Sequence, residues 1–327
     1  MNSVKKFVRY ACLALAGLAL SSCIREEDLV CGRYVTFVFD YNLQEVDAFH
    51  KHASKIDLYL FDSNDDYLGS VCEEIPDGNL PEKFTVQLPN GYDNATQFVA
   101  WAGVYADDCT ASDLIPNRST LSDLCVALNE CDGNISSKKY RSMLHGYLQQ
   151  IPTRATAYDT ETVTIRMKNN TNAIRIVMRA KNQDFTVPAS QFDFRFVTEN
   201  GGYDYRNEKH NDLTWTYTPF YQENEDSQGA VVAEISTLRL REDQENRLTI
   251  KQNGSSAPII DEDLNSLFRL MQLQELKQKY TFQEYLDRKD EYSLLVLLER
   301  IPTPEGYQYL ASEIRINDWT ERPQPVE

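Results

Sequence analysis

The sequence predicts an all-β chain, mainly β with short helices, built as two β-sandwiches in tandem. Three observations predict it. Apolar residues alternate with polar ones in many short runs, the period of half-buried strands. Turns rich in Asp, Asn and Gly separate those runs, and helical spacing is sparse. At 327 residues the chain is long for one core, so two domains of about 150 residues each are the default.

The first 22 residues are not part of either sandwich. Lys5, Lys6 and Arg9 precede an apolar run at residues 10–20, which Leu20-Ser21-Ser22-Cys23 closes. About 20 apolar residues are needed to cross a bilayer, so this reads as a secretory signal with a lipoprotein cleavage site. The small residues before the cysteine, and a leucine three before it, are what that processing requires. Cleavage would leave Cys23 as the first residue, carrying palmitate-type acyl chains, and two or more chains hold stably. The alternative is a plain secretory signal in which Cys23 is incidental. Ile24-Arg25-Glu26-Glu27-Asp28 is similar to the signal that sends lipoproteins of Bacteroidetes-type bacteria to the outer face of the outer membrane. A solvated linker is the alternative there.

Strands follow in order. Val35, Phe37 and Phe39 share a face over residues 34–40, and Ile56, Leu58 and Leu60 do so over 55–61. Phe84, Val86 and Leu88 make a third strand and residues 98–104 a fourth. Residues 105–140 read as a long polar connection with a short helix near 121–128. Val163, Ile165 and Met167 form the last strand of this half. Alternation restarts after Lys168-Asn169-Asn170-Thr171-Asn172, at 173–180, 191–197, 231–235, 247–251, 292–298 and 313–317. Leu264, Leu267, Phe268 and Met271 have helical spacing behind a cap-like Asp261-Glu262-Asp263, and 282–288 reads as a second short helix. The division is therefore signal 1–22, lipidated linker 23–32, N-terminal sandwich 33–168 and C-terminal sandwich 169–327.

The precursor carries a net charge of −17. Removing the signal takes away three positive charges and leaves about −20. Such a surface repels nucleic acid and anionic headgroups. Five cysteines remain besides Cys23: Cys31, Cys72, Cys109, Cys125 and Cys131, all in the first half. An oxidising compartment permits disulfides, but an odd number leaves at least one thiol free or paired elsewhere. The pairing stays open, and no metal-ligand spacing points to zinc.

Candidate chemistry is sparse. Asp62, Asn64 and Asp66, with Glu73 at the twelfth position, supply the oxygen donors of a calcium loop, but Tyr67 stands where a glycine is needed. A hairpin turn is the expected reading, with weak calcium binding the alternative. His50 and His52 could share a strand face without a third ligand. No Ser, Cys or carboxylate is tied by spacing to His145, and His210 sits in a polar loop. Among 50 acidic residues, some carboxylate pair carries no information. Trp101 reads as core. Trp215 is the better surface candidate for sugar stacking, with Trp319 a further aromatic. There is no phosphate loop and no dinucleotide turn.

Several stretches, in order, resemble the FimB-type fimbrial anchor lipoproteins of Bacteroidales, the fimbrillin-associated anchor proteins. They are the lipobox at Cys23, Val35-Thr36-Phe37-Val38-Phe39-Asp40-Tyr41-Asn42, Ile56-Asp57-Leu58-Tyr59-Leu60-Phe61-Asp62 and Phe98-Val99-Ala100-Trp101-Ala102-Gly103. Later come Leu144-His145-Gly146, Lys168-Asn169-Asn170-Thr171-Asn172, Tyr285-Leu286-Asp287-Arg288 and Ile316-Asn317-Asp318-Trp319. The chain departs from the family at the usual hairpin glycine, where Asp65-Asp66-Tyr67 stands. The resemblance implies two transthyretin-like β-sandwiches and a non-enzymatic, cofactor-free role: holding a fimbria to the outer membrane through lipid on Cys23 and limiting its length. It also implies stalk subunits as partners, joined by strand addition. The stalk subunits it implies resemble proteins that are cut after an arginine near the N-terminus. Here Arg25 and Arg33 precede the first strand, and an anchor should stay uncut at both. Docking would then fall to the second half, through residues 313–319. The runner-up is a surface glycan-binding lipoprotein, which predicts an exposed aromatic platform.

Overall fold

The structure, a computed structural model, describes residues 31–74, 81–129, 131–153, 159–225, 229–276, 279–304, 306–316 and 319–321. The signal segment, Cys23, Arg25, the acidic patch, Asn317, Asp318 and the terminal prolines lie outside these. The fold is mostly β, as the alternation predicts.

Residues 32–169 build two facing sheets. In the smaller, the strand Gly32–Val38 lies between Thr160–Arg166, which runs parallel to it, and the antiparallel Phe84–Gln87. The larger has the order Lys168–Asn169, Leu144–Leu148, Gln97–Ala102, Lys55–Phe61, Tyr67–Glu74. The alternation places Val35, Phe37, Phe84, Val86 and Ile165 of one sheet against Ile56, Leu58, Leu60, Phe98 and Leu144 of the other, as one core. Each such buried side chain contributes about 1.5–3 kcal/mol.

A second pair of sheets carries most of the later residues. The six-stranded sheet is ordered Tyr221–Glu225, Ala230–Leu238, Thr171–Ala180, Glu291–Thr303, Gly306–Ile316, Trp319–Glu321. Facing it are Pro258–Asp263, Arg247–Gln252, Phe192–Thr198, Trp215–Tyr217 and Ile135–Ser136. Ile174, Ile176 and Met178 pack between these sheets with Phe192, Phe194, Phe196, Leu248 and Ile250. The helix Leu264–Leu276 adds Leu264, Leu267, Phe268 and Met271 to this core. Asp261 and Glu262 belong to a strand, but Asp263 does cap the helix, accepting from the Asn265 N–H at 3.1 Å. Phe282–Arg288 is helical as its spacing predicts, and Thr281 and Glu284 cap it reciprocally.

The largest departure concerns residues 105–140. No helix forms over 121–128. A single 3-10 turn at Leu121–Asp123 gives way to the strand Cys125–Leu128. Val126 and Leu128 alternate into the core, a period-2 signal too short to separate from helical spacing. That strand pairs with Cys109–Ala111 and with Gly202–Asp204 of the later half, and Ile135–Ser136 pairs with Trp215–Tyr217. The segment thus joins the two halves instead of looping between them.

Candidate functional site

The described chain begins beside the strand Gly32–Val38, whose residues are buried up to Phe37. This strand sits inside its sheet with hydrogen-bonded neighbours on both sides. Arg33 fixes its entry. The side chain is 3% exposed. Its Nε donates to Glu161 Oε2 at 2.7 Å, Nη1 to the Ala95 carbonyl at 2.6 Å and Nη2 to the Pro152 carbonyl at 2.5 Å. The guanidinium also lies 5.7 Å from the centre of the Phe98 ring. Its own carbonyl accepts from the Leu88 N–H at 2.8 Å. The peptide bond after Arg33 is therefore inside a sheet, where a protease cannot extend it.

The strand runs toward the later half and delivers residues 39–47 against the helix Phe282–Arg288. Arg288 lies over the rings of Tyr41 at 3.9 Å and Tyr280 at 4.4 Å, and donates to the Asn42 carbonyl at 3.2 Å. Glu45 accepts from Lys279 at 2.9 Å and from the Tyr280 hydroxyl at 2.5 Å. Beneath, Asp287 and Arg239 form a buried two-pronged pair at 2.7 and 2.9 Å, with Gln283 at 2.8 Å and Lys168 at 3.6 Å also on Asp287. Burial opposes the charge on Arg239, but Asp287 more than offsets it and its pKa is raised. Asn170, just past the division, exchanges amide hydrogen bonds with Asn207 at 2.6 and 2.9 Å. The desolvated Arg239–Asp287 pair tolerates little displacement and fixes the helix Phe282–Arg288 within the later half. At this junction Tyr41, Asn42, Glu45 and Lys168 of the first half dock on that helix and the turn before it.

The motifs quoted for the family resemblance converge here: Tyr41-Asn42, Leu144-His145-Gly146, Lys168 to Asn172, and Asp287-Arg288. Their spacing along the chain gave no sign that they meet. His145 is buried, with Nε2 donating to the Tyr205 carbonyl at 3.0 Å and its ring 4.5 Å from Trp101. Burial pushes its pKa down to about 3, so the imidazole is neutral. Gly146 is required by close approach: a Cβ would stand 2.5 Å from Ile165 Cγ2. At Gly103, φ is +77° and a Cβ would lie 2.0 Å from the Ser142 carbonyl oxygen.

Other sequence candidates resolve as follows. Asp62 Oδ1 accepts from the N–H groups of Asn64 and Asp66, at 2.8 and 3.0 Å, which is a hairpin turn. Glu73 lies seven residues along the next strand, roughly 20 Å away at strand rise, and cannot close a calcium loop. His50 and His52 sit on the helical turn Phe49–His52 and not on a strand. His52 meets Ser142 at 3.2 Å. Among the described residues no group of three His, Cys, Asp or Glu side chains could hold a metal. Trp101 is core, as expected. Trp215 is not a surface platform: it is buried, packed against Gly201, because its strand is interior to its sheet. The five cysteines are unbridged, with Cys109 buried and Cys31, Cys72 and Cys131 exposed. Of residues 313–316, Ile314 to Ile316 are not a free edge: they pair on both sides, with Glu291–Thr303 and with Trp319–Glu321, and the sheet's outer strands are Trp319–Glu321 and Tyr221–Glu225.

Comparison with known proteins agrees with this picture. The family model of fimbrillin-A associated anchor proteins Mfa1 and Mfa2 matches residues 27–324. A Bacteroides thetaiotaomicron structure, named as a candidate polysaccharide-binding protein, is 28% identical with a TM-score of 0.74, covering 90% of this chain and 98% of its own. A candidate adhesin from Bacteroides ovatus is 21% identical with a TM-score of 0.72, over 93% of this chain and 98% of its own. The fimbrial anchor protein Mfa2 from Porphyromonas gingivalis is 14% identical with a TM-score of 0.68, over 90% and 99%. The last two likenesses speak to fold alone. No curated protein matches the chain.

Proposed function

Because the chain belongs to the family of fimbrillin-A associated anchor proteins, we propose that it is a lipoprotein anchor at the base of a cell-surface fimbria. Lipid on Cys23 holds it in the outer membrane, facing outward. Its two sandwiches, divided near Lys168–Asn169, carry load from tether to fibre. Stalk subunits join by strand addition, and the fibre stops at this end, which limits its length. The role needs no catalytic group.

The observation that carries this reading is the first strand. It is central to its sheet, and Arg33 is sealed by three polar contacts. A subunit that keeps its own strand in that position offers no groove there and ends the polymer. Docking then uses the outer strands of the later half, where unpaired N–H and C=O groups template an added strand. The test is intact mass analysis of the protein extracted from membranes, with identification of whatever copurifies. The proposal expects a diacylated or triacylated chain starting at Cys23, uncut after Arg25 and Arg33, together with a fimbrial subunit. A species beginning at Tyr34 overturns it.

A second reading, surface glycan binding, rests on the 28%-identical relative named for polysaccharide. It loses Trp215, the better platform candidate, to the core, and the Trp319 side chain lies outside the described residues.

A further inference from the structure

On a strongly acidic chain, one cleft collects cations. It lies at the junction, has a volume of about 250 Å³ and is lined by Tyr147, Arg166, Lys168, Arg206, Glu208 and Arg239. Three of the cations are already matched: Arg166 with Asp40, and Lys168 and Arg239 with Asp287. Arg206 has no acidic partner among the described residues. It is exposed, and its guanidinium lies 4.9 Å from the centre of the Tyr205 ring, leaving its donor fork unused.

The wall that presents Arg206 is built. Asp204 Oδ1 accepts from the N–H groups of Arg206 and Glu208, both at 2.9 Å, and closes the turn. Asn207 takes a positive φ of 67° and is pinned by Asn170. The Tyr205 carbonyl is held by His145, and its ring meets Tyr147 edge-on at 5.4 Å. The cleft is thus fixed before any ligand arrives, which lowers the entropy cost of binding.

We propose that this cleft binds the carboxylate of an acidic sugar residue, held by the fork of Arg206. Three features select that class. A free guanidinium at a rigid site matches a planar carboxylate in two-pronged fashion. Glu208 lines the same cleft and is paired with Arg241, and its other carboxylate oxygen is placed to accept hydrogen bonds from sugar hydroxyls. The volume falls just below the ~300–1,000 Å³ of sites for drug-sized ligands, room for one sugar residue. The inference does not depend on the anchor reading: it concerns a second surface, and either can fail alone.

Isothermal titration of the full processed protein with D-glucuronate, N-acetylneuraminate, D-glucose, acetate and tetraglutamate tests it. The expected result is that one acidic sugar binds at least about tenfold more tightly than glucose, acetate or tetraglutamate, and that 0.5 M NaCl weakens it. Arg206→Ala should lose about tenfold or more with an unchanged melting temperature, and Arg206→Lys should fall between. Equal binding of glucose overturns the proposal. So does acetate or tetraglutamate binding as tightly as the acidic sugars, which would make the cleft a general anion patch. Unaltered binding in Arg206→Ala also overturns it.

Discussion

Arg33→Ala removes the group that seals the first strand, and the cost follows from its contacts. The guanidinium satisfies the carbonyls of Ala95 and Pro152, at 2.6 and 2.5 Å, and pairs with Glu161 at 2.7 Å. The Ala95 carbonyl, left dry, costs about 1–3 kcal/mol, whereas Pro152 is exposed and its carbonyl regains water. Glu161 is 26% exposed, so its carboxylate rehydrates and its share is small. Losing the buried charge recovers part of the penalty of desolvating it. The net expectation is about 1–3 kcal/mol, or roughly 2–12 °C in the unfolding of the first half at about 2–4 °C per kcal/mol. Urea denaturation compares the variant with wild type. Limited digestion by an arginine-specific protease, read by mass spectrometry, checks the same lock in the wild-type protein. Arg118, in an exposed turn, should be cut well before Arg33. A loss below about 1 kcal/mol, or cleavage after Arg33 as fast as after Arg118, would refute the reasoning.

Asp287→Asn strands the buried Arg239 guanidinium and should cost about 3–5 kcal/mol by urea denaturation, with faster hydrogen exchange on both sides of the junction. Gly103→Ala drives a Cβ against the Ser142 carbonyl at a positive φ, and should lower stability by about 2 kcal/mol or more. His145 has a folded pKa of about 3 against an unfolded value near ~6.5. The unfolded chain therefore takes up the extra proton first, and this contribution is whole above pH ~6.5 and lost as pH falls toward 3. His145→Gln should remove roughly 3 kcal/mol of the stability change between pH 7 and pH 4, measured by urea denaturation at each pH. Because Asp62 closes a turn instead of a cation site, EDTA or millimolar calcium should leave the melting temperature unchanged in a thermal melt.

Strands with clean alternation were legible from sequence. Lys55–Phe61 and Phe282–Arg288 have the bounds their patterns give, because one face of each meets a single core. Residues 105–140 were not, since their strands are two to four residues long and pair with partners far along the chain, Gly202–Asp204 and Trp215–Tyr217. Trp215 was misjudged because its threonine neighbours drew the reading to the surface, whereas Thr214 and Thr216 face outward and the same alternation turns Trp215 and Tyr217 into the core. The junction was present in the sequence as motifs without a role. Asp287 and Arg239 stand 48 residues apart, and only the packing of a helix on two sheets brings them together. Arg33 was visible as a candidate cleavage point, whereas its burial depended on Ala95, Pro152 and Glu161, which no local pattern connects to it.

The anchor role is tested most directly by shear release of cell-surface fibres from wild-type and Cys23→Ala cells, with mass spectrometry of medium and membrane fractions. The account predicts that the variant sheds fibres into the medium and that this protein travels with them. Fibres that stay attached while this protein alone becomes soluble would contradict it.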